Sequence, residues 1–177
     1  MLWCCVCKIL PKEEAPAFYS LQWQPAFSGA GMVQVWDLRT EKVSFELRGH
    51  GDSVTGMALH PDGKSLLTNS MDNTLRVWDV RPYAPANRCT HILSGHQHTF
   101  EKHLLKCAWS GDGARVTAGS GDRMVCVWEV HGQKLVYKLP GHSGSVNEAV
   151  FHPMQPIVAS ASSDGTIYLG EIAPMGE

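Results

Sequence analysis

The dipeptide Gly-His recurs at 49–50, 95–96 and 141–142, a constant step of 46 residues. A Trp-acid pair or a relative of it closes each copy: Trp78-Asp79, Trp128-Glu129 and, last, Gly170-Glu171. A further Trp36-Asp37 lies upstream of the first Gly-His. Ahead of Trp78 the run 66–70, the tight turn Asp72-Asn73 and the run 74–79 read as a β-hairpin. Self-similarity at a period of roughly 40–45 residues, opened by Gly-His and closed by Trp-Asp, is the pattern of four-stranded propeller blades. No single blade can bury its own apolar faces, so neighbouring copies must stack. The expected fold class is therefore all-β.

Counting along the repeats divides the chain. From the turn after the first strand to the closing position there are 17 residues in three copies: Pro61 to Trp78, Gly111 to Trp128 and Pro153 to Gly170. From Pro25 to Trp36 there are only 11. Residues 18–48 thus read as a degenerate repeat. Tyr19, Leu21 and Trp23 alternate with polar residues as its first strand. Ser28-Gly29-Ala30-Gly31 is the remnant of its second. Residues 49–94 and 95–140 are full repeats, and 141–177 is a repeat lacking its fourth strand. Residues 1–17 stand outside the pattern. The tally is about three and a half blades. The extra length in two repeats falls at 81–88, between strands three and four, and at 97–103, ahead of the next first strand.

Composition adds mild bounds. The chain has 177 residues, 44% of them hydrophobic and 18% charged, with net charge −2. That balance argues against wholesale coating of nucleic acid. No apolar run reaches the 18 residues of a membrane-spanning helix. Residues 1–10 lack the basic start and long apolar stretch of a secretory signal. Six cysteines, at 4, 5, 7, 89, 107 and 126, read as free thiols in a reducing compartment. Cys4-x-x-Cys7 is half of a zinc pattern with no second half. N-terminal S-acylation is the weaker alternative to a stray strand.

Three sets of polar residues recur in phase: His50, Ser70, Asp72 and Trp78; His96, Ser120, Asp122 and Trp128; His142, Ser162 and Asp164, with Gly170 in the Trp place. Ser-His-Asp suggests hydrolysis. Catalysis needs one such triad, whereas three evenly spaced copies mean one structural device per blade that satisfies buried polar groups. No GxxxxGK[ST], HExxH or GxSxG motif occurs. His91, His96, His98 and His103 are close in sequence but have separate places in the repeat, so no metal site and no cofactor is expected. Arg81, Arg88, Lys102 and Lys106 read as surface cations rather than an RNA-phosphate track.

These residues resemble the WD-repeat family, in which such a tetrad links Trp, Ser, His and Asp by hydrogen bonds. The resemblance sharpens over 32–172. It rests on the run 70–85 continuing to Arg88-Cys89, the segment 100–107, Tyr137-Lys138-Leu139-Pro140-Gly141-His142, and the ending 167–172. Together these are similar to WD-repeat subunits of the spliceosomal U-five small nuclear ribonucleoprotein. The resemblance implies a seven-bladed parent and a non-catalytic, nuclear scaffold in pre-mRNA splicing. Its implied partners are spliceosomal core proteins, the largest in particular, with RNA contact indirect or weak and neither membrane nor small-molecule substrate. A generic WD-repeat adaptor, such as a ubiquitin-ligase substrate receptor, is the alternative. The inserted loops are the expected binding elements, on opposite faces, with Arg81, Tyr83, Arg88, Phe100 and Lys102 as anchors. The last strand, 167–172, is expected to be an open edge, covered by the segment 2–10 or by self-association.

Overall fold

The computed structural model describes residues 7–8, 19–24, 31–37, 39–99, 101 and 103–172. Fifteen strands and no helix form among these residues. Two compact units divide at Val54/Thr55.

The first unit holds one antiparallel sheet in chain order, made of β1 (Cys7–Lys8), β2 (Tyr19–Gln24), β3 (Met32–Asp37) and β4 (Lys42–Arg48). Here the structure corrects two expectations. The strand at 19–24 pairs directly with β3, Leu21 opposite Val35, so it takes the second place rather than the first. The first place goes to β1, with Cys7 opposite Leu21. Cys7 and Lys8 therefore extend this sheet, and the rest of the segment 2–10, expected at the edge of the last strand, lies outside the described residues. Residues 28–30, read as the second-strand remnant, lie outside the described residues. Gly31 follows them outside any strand, and a Cβ there would meet the Asp52 carbonyl oxygen at 1.9 Å. Only glycine lets the backbone come that close.

The second unit contains three sheets, each running in chain order. The first is β5 (Val54–Leu59), β6 (Ser65–Ser70), β7 (Thr74–Asp79) and β8 (Cys89–Ser94). The second is β9 (Cys107–Trp109), β10 (Arg115–Gly119), β11 (Val125–Glu129) and β12 (Lys134–Leu139). The third has only β13 (Val146–Phe151), β14 (Ile157–Ser162) and β15 (Ile167–Glu171). β14 and β15 align Ile157 opposite Glu171 through Ala161 opposite Ile167.

These sheets stack face to face through apolar layers. Leu67, Leu75, Val77 and Leu93 of the first pack with Val116, Ala118, Cys126 and Trp128 of the second. Val125 of the second packs with Val146, Ala149 and Val158 of the third. Innermost strands are also tied by polar bonds. The Thr55 hydroxyl and the Asn69 side-chain amide both donate to the Leu105 carbonyl, at 2.8 and 3.0 Å. The Trp109 indole N–H donates to the Ala58 carbonyl at 3.0 Å. The Lys106 N–H donates to the Asn147 carbonyl and the Val146 N–H to the Ser120 carbonyl.

Candidate functional site

Strand register decides which hydroxyl faces each tryptophan. Trp78 lies opposite Leu66, Trp128 opposite Val116 and Gly170 opposite Val158. The residue two further along the second strand is Thr68, Ala118 or Ser160, and the next on that face is Ser70, Ser120 or Ser162. In the first sheet the Trp78 indole N–H donates to the Thr68 hydroxyl at 2.8 Å, both side chains being buried. The recurring serine sits one strand repeat too far along to receive it. It caps the turn instead: the N–H of Asp72 donates to Ser70 at 3.3 Å, and that of Asp164 to Ser162 at 3.3 Å. His50 is buried in the first unit, ahead of β5.

The second set departs further. Ala118 offers no hydroxyl, and the Trp128 indole N–H donates to the Ser94 carbonyl at 2.8 Å. His96 stands edge-on to Trp128, ring centres 5.7 Å apart. Its Nε2 lies 2.8 Å from the Asn69 side-chain oxygen, which His98 Nε2 also approaches at 3.4 Å. Asn69 is the linking residue that repeat-phase reading missed. Its signal was faint: a lone Asn at a buried, strand-internal place where the other repeats carry Gly119 and Ala161. Ser120 accepts the Gln97 N–H at 2.9 Å. Asp122 pairs with Lys138 at 2.7 Å. Burial opposes the charge of Asp122, but hydrogen bonds from Lys138 and Ser120 outweigh it and hold the carboxyl below the usual range.

In the third set His142 Nε2 lies 2.8 Å from the Ser160 hydroxyl. His142 Nδ1 lies 3.0 Å from the Thr166 hydroxyl and 3.5 Å from an Asp164 oxygen. The other Asp164 oxygen accepts the Thr166 hydroxyl and N–H, at 2.6 and 2.8 Å. Those bonds, with further ones from the Ser143 and Gly144 N–H groups, keep the Asp164 carboxyl far below its ordinary value. Ser160, His142 and Asp164 have the order of a hydrolase triad. Yet Ser160 is 6% exposed, and its register place is that of Thr68, whose hydroxyl serves an indole. The hydrogen bonds among His142, Ser160, Thr166 and Asp164 satisfy their polar groups within the sheet.

Among the described residues, no cluster of three or more His, Cys, Asp or Glu is placed to hold a metal. His103 pairs instead with Glu101 at 2.8 Å. Burial pushes the Cys107 and Cys126 thiols up to about 12. No helix among the described residues is long and apolar enough to cross a membrane.

The two inserted loops leave β8 at opposite ends, 80–88 before it and 95–106 after it. Arg81 is bound by Asp79, Nη2 to Oδ2 being 2.5 Å, and this side-chain pairing lowers the Asp79 carboxyl. Arg88 donates to the carbonyls of Arg81 at 2.7 Å and Asp79 at 3.2 Å. Both cations thus shape the loop that carries them. Tyr83 at its tip is 99% exposed. Phe100 and Lys102 lie outside the described residues.

The WD domain, G-beta repeat family matches residues 41–79, 87–129 and 133–169. The chain is 57% identical over 131 residues to the U5 small nuclear ribonucleoprotein 40 kDa protein of Pongo abelii, covering 74% of this chain and 37% of that protein. It is 51% identical over 185 residues to the protein of the same name from Dictyostelium discoideum, covering 80% and 52%. It is 51% identical over 142 residues to pre-mRNA-splicing factor cwf17 of Schizosaccharomyces pombe, covering 80% and 42%. The chain thus spans between about two-fifths and one half of the length of these relatives.

Proposed function

The chain belongs to the WD-repeat family, and from that premise we propose that it is a non-catalytic, protein-binding scaffold of pre-mRNA splicing. The observation that carries this reading is its likeness, over 74–80% of its own length, to proteins named as splicing components. The geometry supports a scaffold. The Ser, His and Asp side chains that a hydrolase would need are engaged within and between sheets. On this reading the partners are spliceosomal core proteins, the largest among them. RNA is met indirectly, in keeping with a net charge of −2, and the site of action is the nucleus. Tyr83 is the foremost anchor in the 81–88 loop, because an exposed aromatic on a braced loop costs little entropy to bind. Affinity purification of the tagged chain from nuclear extract tests this. Ribonuclease-resistant recovery of the largest core protein is the expected result, weakened several-fold by Tyr83→Ala. A folded chain that recovers no spliceosomal protein would overturn the proposal.

A further inference from the structure

A groove of about 410 Å³ opens between the first and second sheets of the second unit. Val77, Trp109 and Val130 supply its apolar part, and Thr90 and His91 line it from β8. In a regular strand two successive side chains point to opposite faces. Here Thr90 is the extra residue of the β8 bulge, and its hydroxyl lies 3.1 Å from His91 Nδ1. The corresponding bulges of β4 and β12 carry Ser44-Phe45 and Val136-Tyr137, neither with an imidazole.

That contact fixes the place of a proton. The Thr90 hydroxyl donates its one hydrogen to the Val77 carbonyl at 3.0 Å. Thr90 Oγ1 is therefore the acceptor, and neutral His91 carries its hydrogen on Nδ1. Nε2 keeps a bare lone pair, with no hydrogen-bond partner among the described residues. While the Thr90 bond holds, a carboxylate can bond to Nε2 only if His91 takes up a second proton. The acids of the groove are already engaged. Asp79, ending β7, gives both oxygens to the Arg81 guanidinium. In the β5–β6 turn Asp62 lies 2.7 Å from His60 Nδ1 and accepts the Lys64 N–H at 2.7 Å. His60 Nε2 lies 3.3 Å from the Gly113 carbonyl. The Lys64 ammonium has no ion pair among the described residues. His131, in the β11–β12 turn, lines the groove from the second sheet. With the imidazoles neutral, Asp62 and Asp79 balance Lys64 and Arg81, so each imidazolium leaves a positive excess. Burial and the His131 charge both push the His91 imidazole below its ordinary value. A bound anion offsets both.

We propose that this groove binds an Asp or Glu side chain of a partner polypeptide, and that His91 takes up a proton as it binds. A phosphodiester chain would bring repeated charge to walls that also hold Asp62 and Asp79, which disfavours RNA. The inference rests on the protein-binding reading but not on the identity of the partner.

The test titrates acetyl-Leu-Glu-Leu-amide into the full chain, following the His91 ring protons by NMR between pH 5.5 and 8. Saturable binding is expected, tightening by up to about tenfold for each unit of falling pH above the His91 titration. His91 should titrate at higher pH when the peptide is bound. Acetyl-Leu-Gln-Leu-amide should bind about tenfold more weakly. His91→Gln should remove the pH dependence. Thr90→Val, which lets neutral His91 carry its hydrogen on Nε2, should make it shallower. No spliceosomal component is present, so this titration can fail while recovery from nuclear extract succeeds, and the reverse. Absence of saturable binding, equal binding of the glutamine peptide, or an unchanged pH dependence in either folded variant would each overturn the proposal. So would a uridine oligonucleotide that moves the His91 resonances where the glutamate peptide does not.

Discussion

One strand repeat separates a threonine and a serine that look interchangeable in the sequence. Thr68 and Ser70 lie on the same face of β6, both fully buried, but only Thr68 is level with the indole N–H of Trp78. Thr68→Val keeps the branched shape and removes the acceptor. It should cost about 1–3 kcal/mol, the penalty for a buried polar group left unsatisfied. Denaturant unfolding of Thr68→Val beside a Trp78→Phe, Thr68→Val double variant measures it. The indole N–H is already gone in a Trp78→Phe background, so the second change should be much milder there. Equal losses in both backgrounds would show that the pair is not the cause. The repeated Ser at the turn was legible because it recurs in phase. Thr68, Ala118 and Ser160 were not, because their chemistry differs from copy to copy while their register does not.

Turns and bulges set the character of the elements. In every sheet with a fourth strand, pairing slips just before the closing Trp, at Val35/Trp36, Val77/Trp78 and Val127/Trp128. The fourth strand carries the extra residue: Ser44, Thr90 or Val136. A bulge of this kind bends the outer strand and strengthens its twist. No residue type marks it, so periodicity alone does not reveal it. The turns after the second strands are legible, because Asp72, Asp122 and Asp164 each accept the N–H two residues on, at 2.9, 3.3 and 2.8 Å. The following Asn73, Arg123 and Gly165 all have positive φ. Asp164 binds most heavily, and its pH behaviour follows. A carboxyl held below its unfolded value, about 3.9, contributes stability that is complete above that pH. The contribution is lost as pH falls through the depressed folded value. Asp164→Asn should therefore lower the melting temperature at pH 7, and its gap from the unaltered chain should narrow steadily below about pH 4. A gap independent of pH between 3 and 7 would rule this out.

Across the whole molecule the open question is the outer edge of β15. It pairs only with β14 among the described residues, while Ile167 and Leu169 on its outward face are 73% and 75% exposed. An unpaired, apolar strand edge is a template for another strand. The isolated chain should therefore self-associate with rising concentration, and Leu169→Lys should suppress this by placing a charge on the edge. Sedimentation at several concentrations reads both. A chain that remains monomeric throughout, with or without the lysine, would refute the edge as an association surface.

The fold class and the places of the two longer loops were readable in the sequence, because Gly-His and Trp-Asp recur at fixed spacing and two-residue periodicity commits each strand to its faces. Spacing says which residues are equivalent. It does not say which equivalents touch, since contact depends on strand register and on how one sheet lies against the next. Those are settled by burying all faces at once. For that reason β1 entered the degenerate sheet, Asn69 became the partner of His96, and Arg81 and Arg88 bonded back onto their own loop.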